Sequence, residues 1–226
     1  MSAHCFLTTF HPLTETAAGR SAVEHYGLPP FIDGSCRREP DFESLFPSIS
    51  ALCRLGSFAP RLRKGDAVMY LTIKGKYQGD EMPGWRLVAV LRVIHHPFSD
   101  HREAARWYAE QRCQLPSNCL VPGNPPQAFD RTHGKLPDVV RRRTSGEADS
   151  VKTRCWDHTY WERAKRQPIF LVTQTEFLEL THPPQLQRPD MLKVFGYVPG
   201  TQTPPKIDCN HLRLLMKVAT ERKRQM

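Results

Sequence analysis

Two apolar runs joined by a polar loop constrain this chain more than any other stretch. Residues 63–96 read RKGDAVMYLTIKGKYQGDEMPGWRLVAVLRVIHH. A Lys64-Gly65-Asp66 turn leads into residues 67–73, and a loop of Gly, Asp and Pro separates them from residues 86–95. β-Branched and aromatic residues fill the runs and turn residues punctuate them, which predicts two antiparallel strands with a long connection. The second run, Leu87 to Ile94, is almost continuously apolar, as a strand buried on both faces requires. Two such strands make a scaffold. Chemistry has to come from the loops attached to it.

Those loops lie in a chain of 226 residues, long enough to bury a core of real size. No apolar run approaches the roughly 20 residues that span a bilayer, and the start lacks the basic-then-apolar order of a secretory signal. The expectation is a soluble, cytoplasmic protein with no membrane partner. Seven cysteines, an odd number without a secretion signal, are expected to be free thiols. The formal charge of +9 is clustered at Arg37-Arg38, 61–64, 141–143, 163–166 and 222–224. Basic clusters set between aromatics point to DNA, RNA or a nucleotide as partner, because neutralising phosphates gives affinity without sequence readout. A solvated basic surface is the plainer reading.

Residues 5–10 (CFLTTF) read as a first strand and 14–26 as a short helix weakened by Gly19. Residues 48–55 fit a third strand or a short buried helix. Asp100, with Glu103 three residues on, caps a helix running to about residue 113. Residues 155–166 form a helix with Trp156, Tyr160 and Arg163 on one face, and 169–172 a buried strand. Thr173 and Glu176 make a Thr-x-x-Glu capping box that predicts a helix over 176–180. Further helices are expected over 190–195, bracketed by Pro189 and Gly196, and over 208–223. Strands early and helices late define an α+β class.

Metal-binding spacing is absent: no Cys-x-x-Cys occurs, and His95, His96 and His101 alternate across a strand end. Neither a P-loop nor a dinucleotide fingerprint is present, so no cofactor is expected. A catalytic thiol would have to come from Cys36, Cys53 or Cys119, with His25, His95 or His96 as base, partners that only the fold could bring together. Two polar loops are more informative. Residues 31–40 (FIDGSCRREP) combine Phe31, Asp33, Arg37 and Arg38 around a Gly, and residues 115–126 carry Ser117, Asn118 and Asn124. Asn and Ser can read the donors and acceptors on a base edge, and Trp85, at the entrance to the second strand, can stack on a base face. An unpaired or flipped base is held by such a set, with Arg on the phosphates. Equally, Asp33 with Arg37 or Arg38 could be a local ion pair, and Trp107 and Trp156 core residues.

The order of these segments resembles a known group. RLRKGDAVMY over 61–70 followed by WRLVAVLRV over 85–93 looks like the core of PUA-like folds such as the ASCH, EVE and YTH domains. Residues 48–53 ahead of 62–70, with 87–93 beyond, resemble the nucleotide-modification-associated domains found near phage and bacterial DNA-modification genes. The tryptophan cage of YTH domains has no counterpart at matching positions. The resemblance implies a small β-barrel over residues 1–126, flanked by helices, with a loop-lined pocket for a modified or flipped base. A linker over 127–154 and a helical extension over 155–226 would follow. Three readings follow from it: a nucleic-acid module gripping an altered or unpaired base; an enzyme on a nucleotide or nucleobase, with Asp33, Glu39 or Cys36 reactive; and a protein–protein module.

Overall fold

A computed structural model of the chain describes residues 3–52, 56–77, 79–127 and 149–223, side chains at 149–156 and 223 excepted. Among these residues five α-helices flank one mixed sheet of seven strands, so the α+β class holds. The expected central hairpin forms from β3 (Ala67–Thr72) and β4 (Trp85–Val93), antiparallel, with Ala67 opposite Arg92 and Tyr70 opposite Ala89. On the other side of β3 lies β1 (Cys5–Phe10), parallel to it, with β7 (Lys206–Ile207) antiparallel at the edge. The far side of β4 is occupied by β5 (Phe170–Leu178) and, at its start, β6 (Gln185–Leu186); β2 (Ser48–Ser50) pairs with β5. The path β2-β5-β4-β3-β1-β7 is open: its ends do not pair, so the sheet is not a closed barrel.

The sheet also corrects the expected domain layout. Residues beyond 154 were to form a helical extension, yet β5 lies inside the sheet, between β2 and β4, and β6 and β7 join it. Among the described residues there, only α3 (Asp149–Arg166), α4 (Arg188–Phe195) and α5 (Cys209–Lys223) are helical. The helix expected over 176–180 does not form: 176–178 are the end of β5, and 179–180 follow it. Thr173, the would-be cap, donates its hydroxyl to the Pro47 carbonyl at 2.6 Å, and Glu176 reaches across to Arg92 on β4. Cross-strand partners outbid a local capping signal.

Other local signals act as written. Asp100 Oδ1 accepts from the Arg102 and Glu103 amides at the start of α2 (His101–Glu110), while Glu103 reaches back to Ser99 rather than to the cap itself. Gln187 and Asp190 cap α4 reciprocally, and Gly196 ends it at φ 76°. In α1 (Ala17–Tyr26) Gly19 is a packing requirement, because a Cβ there would stand 1.7 Å from the Leu13 carbonyl oxygen.

Alternation along the strands builds two cores. Phe6 and Phe10 of β1 with Val68 and Tyr70 of β3 face one side, joined by Phe31, Phe42, Phe58 and Leu62 from the loops. Cys5, Leu7, Met69 and Leu71 face the other, where α4 and α5 cover them with Met191, Val194, Leu212 and Leu215. On β4 an extra residue breaks the period of two: Tyr70 pairs with Ala89 but Leu71 with Leu87, so Val88 and Ala89 both join the first core. Cys5 and Cys209 form a disulfide, contrary to the free thiols expected, because the β1–β7 pair delivers the start of α5 beside the start of β1. Among the described residues no helix is long and apolar enough to cross a membrane.

Candidate functional site

On the loop-covered side of the sheet, a cavity of about 520 Å³ opens above β1 and β3. Thr8 and Phe10 reach it because they share a face of β1, and Tyr70 reaches it from β3. The loop after α1 contributes Asp33, Ser35 and Glu39, and α3 contributes Tyr160 and Arg163. Clefts of about 300–1,000 Å³ with apolar walls and a few polar groups are the usual size and character of small-molecule sites.

The acidic wall is folded by its own hydrogen bonds. Pairing of Leu13 with Ile32 and of Gly34 with His11 lays the loop along the chain leaving β1. Asp33 Oδ1 then accepts from the Ser35 amide at 2.9 Å, the Ser35 hydroxyl and the Glu39 amide at 2.9 Å. Glu39 accepts from the Ser50 amide at 2.9 Å, the Ser50 hydroxyl and Asn118 Nδ2 at 3.1 Å. Burial dominates these donors. It pushes Glu39 up to about 8 and raises Asp33 above its ordinary range, against the pull of Ser35, Glu39 N–H and Arg38.

Behind this wall the predicted arginines are structural. Arg37, 1 % exposed, makes a bidentate pair with Asp157 of α3 at 2.6 and 2.7 Å and donates to the Ser117 and Asn124 carbonyls. Arg38, 2 % exposed, donates to the carbonyls of Asp33 and Ser35 and pairs with Glu43 at 3.4 Å. Neither can reach a phosphate without unpacking the loop, so the expected role for both is corrected. Among the described residues Arg163 is the guanidinium at the cavity, lying over the Tyr160 ring at 5.6 Å and donating to the Leu52 carbonyl.

The remaining expected residues divide. Asn118 supports Glu39 from behind and is itself fully buried. Ser117 gives its amide and hydroxyl to Asp41, and Asn124 Nδ2 bonds the Pro116 and Cys119 carbonyls, so both hold loops together outside the cavity. Phe31 is core, edge-on to Tyr77. Trp85 packs on the α4–α5 side of the sheet, opposite the cavity, under Lys74 at 5.5 Å. Trp107 packs with Phe46 and Phe98. The side chain of Trp156, Cys53 and residues 141–143 lie outside the described residues.

Among the described residues the candidate thiols, Cys36 and Cys119, lie away from the cavity. Cys36 is buried against Leu52, Leu120 and Tyr160 and does not line the cavity. The Cys119 thiol, pushed up to about 12 by burial, donates to the His101 carbonyl. His101 is held neutral by burial, its pKa lowered to about 4, and its Nδ1 accepts from the Leu120 amide. Among the described residues no three His, Cys, Asp or Glu side chains gather as a metal ion would need.

Sequence reasoning found Asp33 and Glu39 but missed Thr8, Phe10, Tyr70, Tyr160 and Arg163. Only the alternation of β1 and β3 signalled the first three, and it could not say which face held the site. Compared with family models, curated proteins and solved structures, the chain finds no match. Fold and site therefore define it: an α+β protein with a carboxyl-lined, partly aromatic cavity on one face of an open mixed sheet.

Proposed function

We propose that this cavity receives a nucleobase, modified, flipped or unpaired, and that the chain is a nucleic-acid-associated module of the PUA-like kind. The observation that carries this reading is the pairing of two buried carboxyls, Asp33 and Glu39, with the rings of Phe10, Phe58, Tyr70 and Tyr160 around one cavity. A base presents apolar faces and a polar edge, and a neutral carboxyl can both donate to that edge and accept from it. A neutral Glu39 also lessens the repulsion that two carboxylates would impose on the phosphate of an incoming nucleotide. The net charge of +9, with Arg163 at the cavity, favours an anionic chain nearby. A base altered by DNA modification is the first candidate, in keeping with the resemblance in residues 61–93.

Calorimetric titration with nucleosides and short single strands carrying unmodified and modified bases tests the reading. Glu39→Gln, which keeps a neutral hydrogen-bonding group, is expected to retain affinity, and Glu39→Ala to lose about tenfold or more. A folded protein that binds no member of the panel ends this proposal. Glu39 also favours a second reading, an enzyme acting on the nucleotide, because a carboxyl titrating near 8 is placed for acid–base work at physiological pH. Product detected by mass spectrometry from the same panel, and absent with Glu39→Gln, would select it over binding alone.

A further inference from the structure

We infer that Asp33 Oδ2 is the atom by which the cavity reads its ligand: protonated, it donates to a ring nitrogen or keto oxygen of a heterocycle, and ionised, it accepts from an amino or ring N–H group. The inference rests on the nucleobase reading and assigns the polarity of that site.

Its ground is the unequal use of the two carboxyl oxygens. Three donors converge on Oδ1, the Ser35 amide, the Ser35 hydroxyl and the Glu39 amide. Oδ2 receives no hydrogen bond among the described residues, although Asp33 is only 6 % exposed and lines the cavity. With Oδ1 saturated as an acceptor, a proton on this carboxyl has to sit on Oδ2, the oxygen left to the cavity. A single proton therefore inverts the polarity of the wall. Among the described residues the charged and titratable groups around it are Glu39, Arg38 and Glu43 from the same loop, His11 beyond β1, Tyr70 from β3, and Tyr160 and Arg163 from α3. Burial favours the neutral acid and is the largest effect; the Ser35 hydroxyl, the Glu39 and Ser35 amides and Arg38 favour the anion.

Asp33→Asn gives the geometry a sharp test. The three donors at Oδ1 need an acceptor, so the amide oxygen must take that place and the NH2 must occupy the Oδ2 position. The variant is thus a wall locked as a donor, which no pH change can invert. Purine riboside, whose ring edge carries acceptors only, and adenosine, whose edge adds an amino donor, are the matched probes. In the wild type the affinity ratio of adenosine to purine riboside is expected to rise about tenfold as pH is raised through the titration of Asp33, the effect of one buried hydrogen bond made or left unmade. In Asp33→Asn the ratio should stay flat at the low-pH wild-type value. His11 also lines the cavity, but it is common to both proteins, so the flat variant isolates Asp33. A flat ratio in the wild type, or a variant that follows the wild-type curve, overturns the inference while leaving base binding standing. Absence of binding by both probes and by the wider panel overturns the base reading and this inference with it.

Discussion

Glu39 sits in a conflict between its hydrogen bonds and its burial. Three donors, two of them from Ser50 and one from Asn118, would hold it as a carboxylate, yet removal from water pushes it from an ordinary 4.5 to about 8. Between those two values the native state holds a proton that the unfolded chain has released. The native state therefore loses stability as pH rises from about 4.5 to about 8, and the loss levels off above that. Glu39→Gln removes the titration. Melting curves should show the wild type losing ground against Glu39→Gln between pH 5 and pH 8, by an amount on the order of a few kcal/mol. Parallel pH slopes for the two proteins would mean that Glu39 is ionised throughout.

At the scale of elements, the loop carrying Asp33 and Glu39 is fixed by what stands behind it. Arg37 joins that loop to α3 through Asp157 and to the 115–124 loop through two carbonyls. Arg37→Ala would leave Asp157 buried without its partner, so a destabilisation of about 3–5 kcal/mol is expected in denaturant titration. Salt should scarcely change it, since the pair is shielded from solvent. A loss below about 1 kcal/mol, as for an exposed pair, would show that α3 does not hold the loop in this way. Arg37-Arg38 read as a phosphate clamp because charge in a Gly- and Pro-rich loop normally faces water. The carboxylate partner of Arg37 lies 120 residues away, beyond any local pattern.

For the whole molecule, the Cys5–Cys209 disulfide closes the chain across 204 residues, from the first strand to the last helix. Loop-closure arguments put the benefit of so long a cross-link at roughly 5 kcal/mol, and measured values for disulfides are more often about 2–4 kcal/mol. Cys209→Ser, or reduction of the wild type, should lower the unfolding midpoint accordingly. A midpoint unmoved by reductant would show that the two sulfurs are not joined in solution. The bond also ties β7 and α5 to the edge of the sheet on the side away from the cavity. The proposed base binding should therefore survive reduction wherever the protein remains folded.

The sequence by itself determined the elements whose signals are local. The apolar runs of β3 and β4 form the expected antiparallel pair, β1 forms over residues 5–10, and Asp100 and Gly196 bound helices as their chemistry requires. It also marked Asp33 and Glu39 as unusual, since carboxyls in a loop of Gly, Pro and aromatics must find partners or cavities. Everything that depended on partners distant in the chain was decided by tertiary structure. Residues 170–178 became a central strand despite a helix-capping signal, because the open edge of β4 offered hydrogen bonds that an isolated turn of helix could not match. Arg37 turned inward because Asp157 was there to meet it, and Trp85 fell on the opposite face from the cavity because alternation on β4 begins at that residue. Spacing along a chain fixes what neighbours in sequence can do; which side of a sheet becomes a site depends on which distant segments cover it.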